Sequence, residues 1–511
     1  MMSALRATAS LRMVQSVDSA RLEPARRFIE FVNNAPTPFH AVHESVARLE
    51  ASGFTRLHER DSWQHGKLKH GGKYFVTRNQ SSIIAFTVPQ KVDAATLGMS
   101  IVGCHTDSPR FIVKPVSKRE KAGFAEVGVE TYGGGIWATW LDRDLGIAGR
   151  VTLSSPGSGA DKTFSSHLVL HREPILRMPT LAIHLDRTQS EKMNYNPETQ
   201  QVPILALASK ALNETFASET STAQEVEFAD PLAITTHHHP ILMHTLAKAL
   251  SKNLGSEVSP SQIHDFELSL FDVQPSTIGG ALDEFIFSPR LDNLFSSFAA
   301  VEGLIAATES ADVGADGRVS MIALFDHEEI GSVSAFGAES NFIEATIERV
   351  AVALKADADS EAEAYQRTLS RSFLLSTDMG HSIHPSFMEK HEEMHRPLIN
   401  SGPAIKTNAK QRRAGLKAYA STAQTTFLLR RVAAMAQVPL QEYEVRNDMA
   451  CGSTIGPLVS KIGLRTVDIG CPQLSMHSIR ETAGTKDMAY LQELFRSFFL
   501  NFGTVDTLDV D

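Results

Sequence analysis

A run of apolar and β-branched residues from Arg318 to Phe325 stops abruptly at Asp326-His327-Glu328-Glu329-Ile330-Gly331-Ser332. The run has the length and texture of a buried strand. It leaves Glu328 and Glu329 side by side at a strand end, where like charges repel and burying either one is costly. A divalent metal resolves the conflict. One carboxylate ligates it, and the other stays free to take a proton from the water that the metal activates. Taken alone, the pair also suits a solvated acidic loop, so the rest of the chain has to decide.

A length of 511 residues predicts two or three domains, or one large domain carrying an insertion. With 42% apolar and 21% charged residues, the chain has the composition of an ordinary globular protein. A net charge of −10 argues against general binding to nucleic acid or anionic membranes, so any preference for acidic ligands must come from local cationic groups. Three cysteines, Cys104, Cys451 and Cys471, make no disulfide framework and fit a reducing compartment. No apolar run approaches the ~18 residues that span a bilayer. The first 17 residues lack acids and carry Arg6 and Arg12, without the apolar core of a secretory signal. The expectation is a disordered start and a cytoplasmic protein.

Along the chain, Thr37-Pro38 opens a helix on which Phe39, Val42, Val46 and Leu49 share a face. Strands are expected at Phe75-Val76, Ile83 to Val88 and Leu97 to Cys104, the last running into His105-Thr106-Asp107-Ser108-Pro109. The texture then changes. Glu130 to Arg150 is rich in glycine and aromatics, and strand-like pieces follow at Val151 to Leu153, His167 to His171 and Leu181 to Leu185, a mainly β insertion. Asn213 to Asp230 reads as a polar loop. His237-His238-His239 fits no common metal spacing and reads as a helix start. After Gly279-Gly280, strands at Val319–Phe325, Phe373–Thr377 and Thr466 to Gly470 alternate with helices, the pattern of an α/β sheet. The chain closes on an amphipathic helix carrying Met488, Leu491, Leu494, Phe495, Phe498 and Phe502.

Four strand ends deliver potential ligands: His105, Glu329, Asp378 and, beyond Gly470-Cys471-Pro472, His477. Asp292 lies at the start of the helix after Pro289-Arg290-Leu291. Ligands of open α/β sheets gather beyond the carboxyl ends of strands, so these segments can converge. Two histidines, two aspartates and a glutamate suit zinc or another borderline divalent ion, and five ligands with one bridging carboxylate make a two-metal site. Asp107 can accept the distal N–H of His105 and fix its tautomer. Singly, Asp292 could be a helix cap, His477 a buried structural histidine and Asp378 a turn residue. Their joint placement after strands or at a helix start favours metal.

The segments Gly103 to Pro109, Tyr132 to Arg150, Ser288 to Asn293, Asp326 to Ser332, Thr377 to Pro385, Gly402 to Lys406 and Met476 to Glu481 resemble, in order, those of the aspartyl aminopeptidases, dinuclear-zinc exopeptidases. The resemblance spans nearly the whole chain. It implies an α/β fold: a catalytic domain (1–108 and 278–511) with a mixed sheet flanked by helices, plus an inserted, mainly β dimerisation domain (109–277). It implies two Zn2+ per subunit, with Co2+ or Mn2+ able to substitute. One ion takes His105 and Asp378, the other Glu329 and His477, and Asp292 bridges them. Glu328 is then the general base and Asp107 orients His105. His184, His381 and Lys406 match residues near the substrate, a peptide with an acidic N-terminal residue. Twelve subunits, built from dimers, would form a tetrahedral shell. One position departs from the pattern. Arg413 stands after Lys410-Gln411-Arg412 where the family usually has tyrosine, which bears on acid selectivity.

Lys406, with Lys410, Arg412 and Arg413, is a cationic segment able to meet a substrate carboxylate, although a solvated basic loop has the same composition. Two other readings compete. A related two-metal exopeptidase or deacylase is disfavoured by Lys406 and the insertion. A non-catalytic assembly protein is disfavoured by the intact Glu328 and five ligands.

Overall fold

The computed structural model describes residues 21–155, 163–187, 195–208, 234–356, 358–408, 419–449, 452 and 454–506. Two compact units emerge: Met1–Ser108 with Ser276–Met476 and Arg480–Asp511, and Pro109–Pro275 with His477–Ile479.

The first unit is built on a mixed sheet. Its strands run in the order Thr55–Arg56, Lys73–Arg78, Ser82–Thr87, Val319–Phe325, Met99–His105, Phe373–Thr377, Arg465–Gly470, Ala404–Lys406 and Gln441–Tyr443. The four in the middle, Val319–Phe325 to Arg465–Gly470, are mutually parallel. Side chains alternate between two faces. On one, Val102, Cys104, Ile322, Leu324 and Leu375 pack against the helices Leu291–Thr308 and Thr485–Val505. On the other, Met99, Ile101, Met321, Ala323 and Leu374 meet Phe342–Ala353 and Ile455–Ser460. Burial on both faces explains why these strands read as continuous apolar runs.

Local signals place the helices. Thr37 caps Pro38–Ala51 by accepting from the His40 N–H, with proline at the first position. Thr422 and Thr425 form a capping box at the start of Ala423–Ala436. A smaller sheet, ordered Thr277–Gly279, Phe285–Ser288, Glu481–Gly484, Pro472–Leu474 and Gly380–His381, completes this unit.

The second unit is an antiparallel sheet ordered Phe164–Leu176, Leu145–Ser154, Ile263–Asp272, Arg110–Lys121, Phe124–Tyr132 and Ile204–Leu207. Helix Pro240–Leu254 covers one face, burying Leu242, Met243, Leu246 and Leu250 with Val151, Val169 and Ile263. The histidine run does start this helix: His239 is its N-cap, while His238 is buried against Ser117. The strand expected at Leu181 to Leu185 is not formed. Leu185 N donates to Ala182 O (2.9 Å) and the segment turns with its side chains exposed. Its apolar alternation has the period of a strand, but no strand of this unit's sheet pairs with it. The polar stretch Asn213 to Asp230 lies outside the described residues. Among those described, no helix is long and apolar enough to cross a membrane.

Candidate metal centre

The four parallel strands end along one edge of the sheet in the first unit, and the site residues leave from there. His105 is the last residue of its strand. Asp378 follows Phe373–Thr377, its N–H donating to Ile469 O (3.0 Å). Glu328 and Glu329 begin a single 3-10 turn two residues beyond Val319–Phe325. To enter that turn His327 adopts φ 64°, in the left-handed region that most side chains avoid. The turn is pinned by Asp326 N–H to Ser82 Oγ (2.9 Å) and Ser332 N–H to His327 O (2.7 Å).

Asp292 arrives from Leu291–Thr308, a helix buried on nearly every side. It is not the cap that its position suggested. Arg290 is the N-cap, without a side-chain bond, and Asp292 and Asn293 depart from helical φ/ψ. The peptide between them is cis. Ser108 Oγ donates to Asp292 O (2.6 Å), and Asn293 Nδ2 donates to Thr377 O (2.8 Å) beside Asp378.

These segments converge on the His105 imidazole, which is 1% exposed. Its Nδ1 faces Asp107, 3.1 Å from the main-chain oxygen and 3.3 Å from Oδ1. Its Nε2 faces Asp292 Oδ1 and Asp378 Oδ1, each at 3.3 Å, and Glu328 Oε2 at 3.9 Å. With Nδ1–H given to Asp107, the Nε2 lone pair is directed at the carboxylates, an arrangement suited to a shared cation.

The electrostatics point the same way. Burial by itself lowers the His105 pKa, but Asp107, Asp292 and Asp378 reverse this and hold it well above the ordinary histidine value. Burial pushes Glu328 up to about 8; His105 opposes the rise, and Asp378, Asp107 and Asp292 add to it. Asp378 is raised by burial and by Asp292, against Lys406 and His105. The cluster is short of positive charge, which a divalent ion would supply.

The spacing fits zinc as well. Two donors about 2.0–2.1 Å from a tetrahedral zinc ion stand about 3.3 Å apart, matching the separations from Nε2 to the two aspartates. His105, Asp292 and Asp378 each offer one ligand atom within 4.8 Å of the others.

Asp107 does more than the sequence suggested. Its Oδ1 accepts the Glu328 N–H and its Oδ2 the Glu329 N–H, both at 3.1 Å. One buried carboxylate thus holds His105 and both glutamate peptides. The His-x-Asp spacing revealed the first contact; the second depends on two strands lying side by side and has no local signal.

Among the expected substrate residues, Lys406 is 2% exposed at the end of Ala404–Lys406. Its Nζ donates to Met379 O (2.8 Å) and lies 3.8 Å from Asp378 Oδ2. His381 is exposed in a short strand, its ring 6.1 Å from that of Tyr443. In the second unit, His477 has φ 67° and its Nδ1 bonds Gly134 O (3.0 Å). His184 is exposed in its turn, and Arg413 lies outside the described residues.

A mixed sheet with a buried histidine and a ring of carboxylates at its carboxyl edge suits a metal-dependent hydrolase. Comparison with known proteins makes this specific. Residues 31–499 match the family model described as aminopeptidase I zinc metalloprotease (M18). The chain is 46% identical over 509 residues to the aspartyl aminopeptidase of Aspergillus oryzae, covering 96% of this chain and 98% of that protein. It is 43% identical to aspartyl aminopeptidase 4 of Saccharomyces cerevisiae, covering 94% and 95%. A cryo-EM structure of an Ape4–Nbr1 complex superposes with a TM-score of 0.87 at 41% identity, covering 97% of this chain and 89% of that one. The mApe1 dodecamer of Saccharomyces cerevisiae gives a TM-score of 0.76 at 28% identity, covering 94% and 97%. The chain belongs to the M18 family of zinc metalloproteases, and it is a metallo-aminopeptidase.

Proposed function

We propose that this aminopeptidase releases N-terminal aspartate or glutamate from peptides at a site holding two zinc ions. His105 and Asp378 would hold one ion, Glu329 and His477 the other, with Asp292 between them. The single observation that carries this reading is the His105 imidazole facing two aspartates at 3.3 Å each, with Glu328 just beyond. The names of the relatives support the acidic substrate, and the zinc family supports the metal.

A bound zinc pair supplies Lewis acidity and makes water a competent nucleophile near neutral pH. The protein's own residues do the rest. Glu328 takes the proton from the attacking water and returns it to the departing amine as the C–N bond breaks and a C–O bond forms. Asp107 keeps Nδ1 of His105 as the donor and fixes the peptide carrying Glu328. Lys406 offers its ammonium to the substrate's side-chain carboxylate, with His381 and Arg413 near the substrate, and His184 of a neighbouring subunit donates to the scissile carbonyl. The inserted unit would serve dimerisation, and dimers would assemble into a dodecamer, the state in which the yeast relative was solved. A cytoplasmic location accords with the reducing character of the three cysteines.

Release rates from peptides beginning with Asp, Glu, Ala and Leu, with zinc content measured on the same sample, test the proposal. Two zinc ions per chain and a strong preference for Asp and Glu are expected. Equal or faster release of Ala or Leu would overturn the specificity, and one ion or none would overturn the dinuclear site.

A further inference from the structure

Glu481 begins the strand Glu481–Gly484 and is 2% exposed, a costly place for a carboxylate. Its Oε2 accepts the main-chain N–H of Asp292 at 3.2 Å, and its Oε1 accepts from Gln473 Nε2 at 3.3 Å. The strand pairing explains the reach: Glu481 lies opposite Ser288, four residues before Asp292. Gln473, itself buried, stands on the neighbouring strand Pro472–Leu474 and steers the carboxylate from the other side.

The peptide it grips is unusual. Asp292 has φ −83° and ψ 105°, and Asn293 φ −123° and ψ 27°, so helical geometry does not fix the direction of the Asp292 side chain. External bonds do so instead. Glu481 holds the N–H, Ser108 Oγ holds the C=O, and Asn293 is tied to Thr377 O. Removing the Glu481 contact frees the peptide to rotate, and the Asp292 carboxylate rotates with it.

We propose that Glu481 is a positioning residue that sets the Asp292 carboxylate for metal binding by holding its main-chain N–H. The inference rests on the reading of Asp292 as the bridging ligand. It differs from a helix-capping role, which would stabilise Leu291–Thr308 whatever the metal does.

The test compares zinc affinity, kcat, KM and Tm of the full chain with those of Glu481→Leu and Glu481→Gln. Partners beyond a ligand typically contribute about 10–100-fold to metal affinity or activity. Glu481→Leu is expected to lose that much zinc affinity, and kcat with it, at little change in KM. Glu481→Gln keeps an oxygen for the Asp292 N–H and is expected to stay close to the parent. If the leucine variant does not fold, Gln473→Leu must show a smaller loss in zinc affinity in the same direction. A leucine variant with parental zinc affinity and kcat but a lower Tm would overturn the proposal in favour of a cap. So would a glutamine variant as impaired as the leucine one, or an unaffected Gln473→Leu. A parent chain that binds no second zinc ion would instead remove the bridging role on which the inference rests.

Discussion

At Glu328 and Glu329, the proposed mechanism turns adjacency into a division of labour, and a 3-10 turn sends successive side chains in different directions. Glu328 Oε2 reaches 3.9 Å from His105 Nε2, yet the proposed mechanism leaves it out of the ligand set. Glu328→Gln should therefore retain both zinc ions and lose roughly 10²–10⁴-fold in kcat, the span of a general base. Asp292→Ala should lose metal together with activity. If Glu328→Gln emptied the site, the two glutamates would have to exchange roles. Lys406 carries a second test. Its buried ammonium donates to Met379 O and lies near Asp378, contacts that orient it. Lys406→Met should raise KM for Asp and Glu substrates by about 10- to 100-fold, since a charge-assisted contact contributes ~1.5–3 kcal/mol. An unchanged ratio of Asp to Ala release would assign acid recognition to another group.

Elements bring these residues together through close backbone approach, most tightly at Gly470, the last residue of Arg465–Gly470. A Cβ there would lie 1.8 Å from Asp378 O and 2.9 Å from Lys406 Cε. Gly470→Ala must displace the segment carrying Asp378, because the first obstacle is backbone. The expected result is weaker zinc binding and a loss of ~1–3 kcal/mol in stability, the usual cost of overpacking. Parental zinc affinity in this variant would show that the Asp378 segment tolerates the shift. The strands Val319–Phe325 and Phe373–Thr377 were legible residue for residue, since each is a short apolar run closed by polar turn residues. Legibility failed where an outcome depended on distant partners. Leu181 to Leu185 has the alternation of a strand but turns instead, and Asp292 follows a helix start without helical backbone. The grip of Asp107 on the glutamate turn and of Glu481 on Asp292 spans 221 and 189 residues, so no local pattern announces either.

For the whole molecule, the proposed metal pair and the proposed assembly are the two terms added to the packing of each unit. A ligand bound by the native state alone raises stability by mass action, so chelation should lower Tm as well as abolish activity. Zinc, cobalt or manganese should restore both, and full activity after verified removal of the ions would exclude metal catalysis. Assembly bears on His184. Its turn exposes Leu181 at 48%, Ile183 at 48% and Leu185 at 74%, an apolar tip with more reason to meet another chain than to face water. In the proposed dodecamer His184 enters a neighbouring site and donates to the scissile carbonyl as negative charge develops there. A donor of this kind contributes about 10²–10³-fold to kcat. His184→Ala should lose kcat on that scale with zinc content and assembly unchanged. Because His184 and Glu328 would then act from different chains, mixed assemblies of His184→Ala with Glu328→Gln should contain some sites with both groups intact. Activity well above either parent variant after subunit exchange is the expected result. No recovery, with exchange demonstrated, would confine His184 to its own subunit.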